Sequence, residues 1–159
     1  MELAASYGAS VEAELGSMGA RESGVSGGAA LYTDPFAAKE FVDSTGIDAL
    51  ACAFGTAHGI YLKTPKLDFD RVTNIHELID VPIVMHGGSG VSREDYIEVI
   101  ARGVRKINYY TYMAKAGAAA VEQLADKAFF HDIAVCAENA MREDVKNAIQ
   151  VFSKMEHDE

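Results

Sequence analysis

Residues 49–59 of this 159-residue chain read Ala-Leu-Ala-Cys-Ala-Phe-Gly-Thr-Ala-His-Gly, and residues 81–90 read Val-Pro-Ile-Val-Met-His-Gly-Gly-Ser-Gly. In both stretches a short apolar run ends in one histidine that is followed by glycine. Short apolar runs bounded by glycine are typical of strands buried on both faces. The two stretches therefore predict neighbouring strands of a parallel sheet, with His58 and His86 at its carboxyl edge, where α/β folds bind ligands.

The rest of the chain repeats a strand–helix pattern. We predict strands over residues 10–15, 48–54, 81–85 and 104–109, and helices over residues 2–7, 36–44, 71–79, 92–101, 114–129 and 144–155. Thr33 or Asp34 is expected to cap the helix that Pro35 begins, and Ser92 with Asp95 forms a capping box. Four such units form a small open sheet or half of an eight-stranded barrel, because a complete barrel needs about 250 residues. We expect one domain over residues 1–159.

The composition excludes several classes of protein. Of the residues, 49% are hydrophobic, but no apolar run reaches the roughly 18 residues that a membrane span requires. The net charge of −10 argues against nucleic acid as a partner. The first residues have no basic segment before an apolar one, so we predict no signal peptide. Because Cys52 falls in a predicted buried strand, we expect free thiols and a reducing, cytoplasmic compartment.

Glu12 and Glu14 lie two positions apart on the first predicted strand, so their side chains share one face of the sheet. Two unpaired carboxylates are costly to bury, and the pair is therefore expected to meet cations, either a metal ion or lysine and arginine. The alternative is an edge strand whose polar face meets water.

His58 and His86 have the residue type and the context of zinc ligands, but catalytic zinc sites have three protein ligands. His58 alone is more often an ordinary, partly buried histidine, and the repetition of its context at His86 is what favours a metal site. The sequence after His86, Gly-Gly-Ser-Gly, precedes a helix, so its N–H groups and serine hydroxyl are candidates to bind a phosphate. A glycine-rich turn with no ligand is the alternative. We expect His76, His131 and His157 to be surface residues.

Five ordered motifs resemble the class II, zinc-dependent ketose-bisphosphate aldolases. They are Val11-Glu-Ala-Glu-Leu-Gly16, Thr33-Asp-Pro35, Gly55-Thr-Ala-His-Gly-Ile-Tyr61, His86-Gly-Gly-Ser-Gly90 and Lys106-Ile-Asn108. Residues 63–69, Lys-Thr-Pro-Lys-Leu-Asp-Phe, are similar to the tagatose-bisphosphate branch, although fructose-bisphosphate members have related loops. The resemblance implies a TIM barrel, of which this chain would be the C-terminal half, strands five to eight, with a C-terminal helical extension.

The resemblance also implies site residues and ligands. His58 and His86 match two of three zinc ligands, Glu14 matches an alternative metal ligand, and Asn108 matches a residue that contacts the enediolate. The substrate implied is a ketose bisphosphate cleaved to dihydroxyacetone phosphate, and the cofactor is Zn²⁺, with a monovalent cation near the phosphate as a further candidate. The positions matched to phosphate binding are Gly59, Lys63, Gly87, Ser89 and Thr111.

The sequence departs from the family pattern at several positions. The third zinc histidine and the catalytic aspartate belong to a His-x-Asp-His-type motif that is absent here. Glu22 is the candidate for proton transfer in the loop after the first strand, although Arg21 breaks the acidic pattern. Leu62 stands where a phosphate-binding lysine is common, with Lys63 beside it, and Tyr110 is expected to narrow the substrate pocket.

Two hypotheses follow. In the first, the chain is half of an aldolase, and its open sheet edges pair with a second copy or with a complementary N-terminal half. In the second, it is a non-catalytic half-barrel from a truncated reading frame, which binds phosphate or metal and needs a partner chain. The absence of the third histidine and of the catalytic acid favours the second hypothesis unless a partner supplies both.

Overall fold

The computed structural model of the chain describes residues 1–16, 32–57, 64–122, 124 and 128–153. Residues 1–108 and 109–159 form two compact units. The first unit contains α1 (Glu2–Ser6), β1 (Glu12–Leu15), α2 (Pro35–Thr45), β2 (Ala49–Cys52), α3 (Phe69–Leu78), β3 (Ile83–Met85), α4 (Arg93–Ala101) and β4 (Val104–Ile107), and the second contains α5 (Thr111–Val121) and α6 (Phe130–Phe152). That both units belong to one domain stays a prediction.

The four strands form one sheet in the order β1-β2-β3-β4, and every pair of neighbours is parallel. This order confirms the predicted strand–helix repeats. The two central strands are buried on both faces, as their unbroken apolar sequences predict. The core around them consists of fully buried aliphatic side chains from the strands and from α3 and α4, among them Leu50, Ile75, Ile83, Val99 and Val104.

Register places one set of side chains along a single row of the sheet. Glu14 pairs with Ala51, Ala51 with Val84, and Val84 with Lys106. A register irregularity lies between Ile83 and Val84. Because alternate residues of a strand face the same side, Glu12 shares a face with Glu14.

Short polar residues cap α2, α3 and α4 of the first unit. The Asp34 carboxylate accepts hydrogen bonds from the N–H groups of Phe36 and Ala37, so Asp34 rather than Thr33 is the cap of α2. At α4, Oγ of Ser92 accepts from the N–H of Asp95, as the capping-box prediction requires. These caps fix the residues at which α2 and α4 begin.

The helices of the second unit differ from the prediction. The helix expected over residues 114–129 ends at Val121, and the one expected from residue 144 begins at Phe130. The carboxylate of Asp132 accepts a hydrogen bond from the N–H of Phe129, which caps α6 at that point. Gly117 lets α5 and α6 approach closely, because an added Cβ would lie 2.9 Å from Cγ of Met141.

Both cysteines are free thiols, as predicted, with Cys52 buried and Cys136 partly exposed. In the described ranges, no helix is both long and apolar enough to cross a membrane.

Candidate functional site

His86 lies immediately after β3 and is held between two carboxylates of β1. Its Nδ1 is 2.9 Å from Oε2 of Glu14, and its Nε2 is 2.9 Å from Oε1 of Glu12. The His86 side chain is 17% exposed, and those of Glu12 and Glu14 are 28% and 34% exposed. His86 is therefore a partner of both carboxylates, although the sequence predicts a metal ion or lysine and arginine for the pair.

Lys106 extends this cluster to β4. Its Nζ lies 2.9 Å from Oε2 of Glu12 and 2.6 Å from Oδ1 of Asn108. The contacts form a continuous polar chain on one face of the sheet, from Asn108 through Lys106, Glu12 and His86 to Glu14. Of the two cations that the sequence left open for the glutamates, lysine is the one that contacts Glu12.

The contacts alter the acidity of two groups. Burial raises the pKa of Glu12, but hydrogen bonds with His86 and Lys106 outweigh burial, so the pKa of this carboxyl lies below its ordinary value. On β2, burial raises the pKa of the Cys52 thiol to about 12, and the charge of Glu14 adds to the shift. Glu12 is thus held as a carboxylate and Cys52 as a neutral thiol at neutral pH.

The glycine-rich turn after His86 is tied to the end of β4. The N–H of Gly88 donates to the carbonyl of Asn108, and the N–H of Asn108 donates to the carbonyl of Met85. A Cβ on Gly88 would lie 2.6 Å from Cγ2 of Ile107, so this close approach requires glycine. The Tyr96 hydroxyl donates to the carbonyl of Gly88. The N–H of Gly88 is therefore engaged inside the protein, whereas the phosphate-binding roles expected of Gly87 and Ser89 stay predictions.

Thr33 has a structural role at this edge that the sequence did not reveal. Its Oγ1 donates to the carbonyl of Leu15 and accepts from the N–H of Ala53, and its own N–H donates to the carbonyl of Ala53. The side chain is 1% exposed. Thr33 therefore joins the carboxyl ends of β1 and β2. Its position beside a helix cap concealed this role, because threonine is also a common cap.

The donor types in the cluster fit a zinc ion, since imidazole nitrogen and carboxylate oxygen are both ordinary zinc ligands. Among the described residues, no group of three or more histidine, cysteine, aspartate or glutamate side chains is arranged to hold a metal. His86 has a carboxylate at each ring nitrogen, so it can ligate a metal through one nitrogen while the other keeps its carboxylate, as metal-bound histidines commonly do.

The structure brings together some of the predicted site residues. Glu14, His86 and Asn108 belong to the polar chain described above, and Ser89 is 4% exposed in the adjacent turn. Thr111 is the first residue of α5, in the second unit. His76 and His131 are exposed, as expected. Four predicted site residues lie outside the described ranges, as does His157: Glu22, His58, Gly59 and Lys63.

A known protein family matches this chain over nearly all of its length. Residues 1–157 match the family model of class II fructose-bisphosphate aldolases. The chain belongs to this family. The resemblance predicted from five motifs is thereby confirmed over nearly the whole sequence.

Solved structures of similar proteins agree with this assignment. The YdjI aldolase from Escherichia coli K12 is 36% identical, with a TM-score of 0.80, over 95% of this chain and 52% of that chain. A putative fructose-1,6-biphosphate aldolase from Coccidioides immitis is 30% identical, with a TM-score of 0.85, over 96% of this chain and 56% of that chain. A fructose-bisphosphate aldolase from Campylobacter jejuni shares the fold, at 20% identity and a TM-score of 0.71, over 94% of this chain and 51% of that chain.

This class II aldolase chain spans about half the length of the solved structures that it matches. Its four parallel strands and flanking helices correspond to half of a TIM-barrel aldolase, which confirms the predicted fold class.

Proposed function

We propose that this chain forms the C-terminal half of a zinc-dependent ketose-bisphosphate aldolase, which reversibly cleaves a fructose or tagatose bisphosphate to dihydroxyacetone phosphate and an aldehyde. The observation that carries the proposal is the position of His86, between two glutamates at the carboxyl edge of the sheet, in a chain of this family. Carboxyl edges are where α/β barrels place their catalytic groups.

His58, His86 and Glu14 are the residues of this chain that we assign to the metal. Bound zinc supplies Lewis-acid chemistry, polarising the ketone carbonyl and stabilising the enediolate formed on cleavage. Asn108 is assigned to hydrogen-bond the enediolate, and Glu22 to transfer the proton of the aldol hydroxyl. The substrate phosphate is assigned to Gly59, Lys63, Gly87, Ser89 and Thr111, with a monovalent cation nearby.

Zinc binding is tested by elemental analysis of the dialysed chain and of two histidine variants. We expect about one zinc per chain in the wild type and a large loss in H86A. H131A is the matched control, because the His131 side chain is 77% exposed and contacts only its neighbour Asp132 among the ion pairs of the structure. Equal zinc content in all three proteins would contradict the assignment of His86.

Catalysis is tested separately, by assaying cleavage of fructose 1,6-bisphosphate and tagatose 1,6-bisphosphate with the zinc-loaded chain. The sequence has no His-x-Asp-His-type motif, so we expect turnover to require a partner that supplies a third histidine and an acid. The partner we assign is a second copy or a complementary N-terminal half-barrel. Light scattering at micromolar concentration tests self-association, and a well-folded monomer would contradict it.

A second candidate function is a non-catalytic half-barrel that binds metal or phosphate. The absence of a His-x-Asp-His-type motif from these residues favours it. Zinc retention without cleavage, even when an N-terminal half from a similar aldolase is added, would support this candidate over the aldolase.

A further inference from the structure

The contact between Lys106 and Asn108 decides what the Asn108 side chain can do. Nζ of Lys106 lies 2.6 Å from Oδ1 of Asn108. A lysine ammonium only donates hydrogen bonds, so the amide atom that faces it must be the oxygen. The contact therefore fixes which atom of the Asn108 amide is the oxygen and which is the nitrogen, an assignment that only hydrogen bonding can make.

With its oxygen engaged by Lys106, the Asn108 amide makes no hydrogen bond through its NH₂ group to the part of the chain that the structure describes, so this group is the one available to a ligand. The backbone of the residue is held as well, because its N–H donates to Met85 and its carbonyl accepts from Gly88. Lys106 and this backbone together restrict the exposed Asn108 side chain, so its N–H donors meet a ligand with less reorganisation. Such preorganised donors are what stabilises negative charge developing on oxygen.

We propose that Lys106 is a positioning residue that, by holding Oδ1 of Asn108, makes the Asn108 amide a hydrogen-bond donor to the oxyanion of a bound ketose phosphate. This inference rests on the proposed function. Glu12 anchors Lys106 from the opposite side, 2.9 Å from its Nζ. The ammonium also polarises the amide that it contacts, which strengthens donation from the NH₂ group.

The competing role for Lys106 is that it only neutralises Glu12. The two roles differ in whether the effect of Lys106 depends on Asn108. A positioning role affects a ligand with negative charge on the enediolate oxygen far more than one with a neutral ketone at that place. A neutralising role also weakens binding of the more negative ligand, through the uncompensated charge of Glu12, but it does so whether or not Asn108 is present.

The test is calorimetric titration of the zinc-loaded chain with two ligands, dihydroxyacetone phosphate and its hydroxamate analogue, which carries the negative charge of the enediolate. In K106M we expect affinity for the analogue to fall about tenfold, the size of one lost charge-assisted hydrogen bond, with affinity for the ketone changed less than about threefold. K106R keeps donors at this position and should retain most of the preference for the analogue.

Asn108→Ala provides the decisive control. If Lys106 acts through Asn108, then N108A reproduces the loss seen in K106M, and N108A/K106M loses little more. Additive losses would overturn the inference, as would equal losses for the two ligands in K106M. E12Q/K106M, which has no unpaired carboxylate, gives the same comparison if K106M fails to fold.

The two proposals fail in different ways. If the wild-type chain binds neither ligand, the proposed function is wrong and the inference falls with it. If the wild type prefers the analogue and K106M keeps the full preference, only the role of Lys106 is overturned.

Discussion

Glu12 and Lys106 form an ion pair of 2.9 Å although they lie on opposite edge strands of the four-stranded sheet. In a flat sheet the two strands would be about 14 Å apart, with side chains perpendicular to the plane. The contact therefore shows that the sheet is curved, with this face concave. Curvature is what gathers the polar residues of β1, β3 and β4 into one cluster, and strands of a barrel curve in the same way.

Removing the charge of Glu12 is expected to destabilise the metal-free chain. E12Q loses the charge-assisted contacts with His86 and Lys106, and we expect a cost of about 1 kcal/mol at neutral pH, measured by urea denaturation. E138Q is the control, because Glu138 is 67% exposed in a helical ion pair with Arg142 and such pairs contribute little.

The destabilisation in E12Q should depend on pH in a defined direction. The folded pKa of Glu12 is lowered, so its stabilisation is complete above the ordinary glutamate pKa of about 4.3 and is lost as the pH falls through the lower folded pKa. The difference between the wild type and E12Q should therefore shrink in acid. A difference that grows below pH 4 would contradict this role for Glu12.

The two thiols should differ sharply in reactivity. Because the pKa of Cys52 is raised to about 12, only about one in ten thousand of these thiols is ionised at pH 8, and burial also limits access. Iodoacetamide is expected to label Cys136 in the folded chain and both thiols in denaturant, as read by mass spectrometry. Labelling of Cys52 in folded C136S, at the rate seen in denaturant, would show that β2 is not buried.

Replacing Thr33 by valine should be costly although the two side chains have nearly the same shape. The change removes the hydroxyl that joins Leu15 to Ala53, so the carbonyl of Leu15 and the N–H of Ala53 each lose a hydrogen bond. We expect the free energy of unfolding to fall by about 1–3 kcal/mol. T45V is the matched control, since the Thr45 hydroxyl bonds only to a carbonyl of its own helix. Similar losses in the two variants would contradict the role of Thr33.

Gly88→Ala is expected to push the turn away from β4. The added methyl would lie 2.6 Å from Cγ2 of Ile107 and 3.2 Å from the carbonyl of Asn108, and we expect a loss of about 1–3 kcal/mol. Gly46→Ala is the comparison, because nothing lies within 4 Å of its added Cβ and only its positive φ of 65° opposes the change, by about 1 kcal/mol. A loss no larger than that of G46A would show that the turn adapts easily.

Much of the first unit could be predicted from local sequence. Apolar runs bounded by glycine located β2 and β3, and Ser92 located the start of α4 within one residue. The second unit was predicted less well, because residues 130–143 contain neither a distinct strand pattern nor a glycine or proline that marks a boundary. Its long helix is stabilised by packing against α5, where Gly117 meets Met141, and such a contact is invisible in either segment alone.

The sequence predicted which types of residue form the site, but only some of the contacts between them. The sequence indicated that Glu12 and Glu14 share a face and require cations, because that follows from the two-residue period of a strand. It assigned no contact to Lys106 beyond its place in a motif, and it counted the N–H of Gly88 among those open to a phosphate. The turn is instead bonded to the end of β4.

The sequence by itself determined the family, the order of strands and helices, and the place of His86 at the carboxyl edge, because these depend on periodicity, caps and ordered motifs along the chain. Only the tertiary structure decided the partners of the charged groups. His86 meets Glu12 across 74 positions of sequence, and Lys106 meets the same carboxylate from the far edge of the sheet. These two contacts are set by register and by the curvature of the sheet, which depend on all four strands together and not on any one segment.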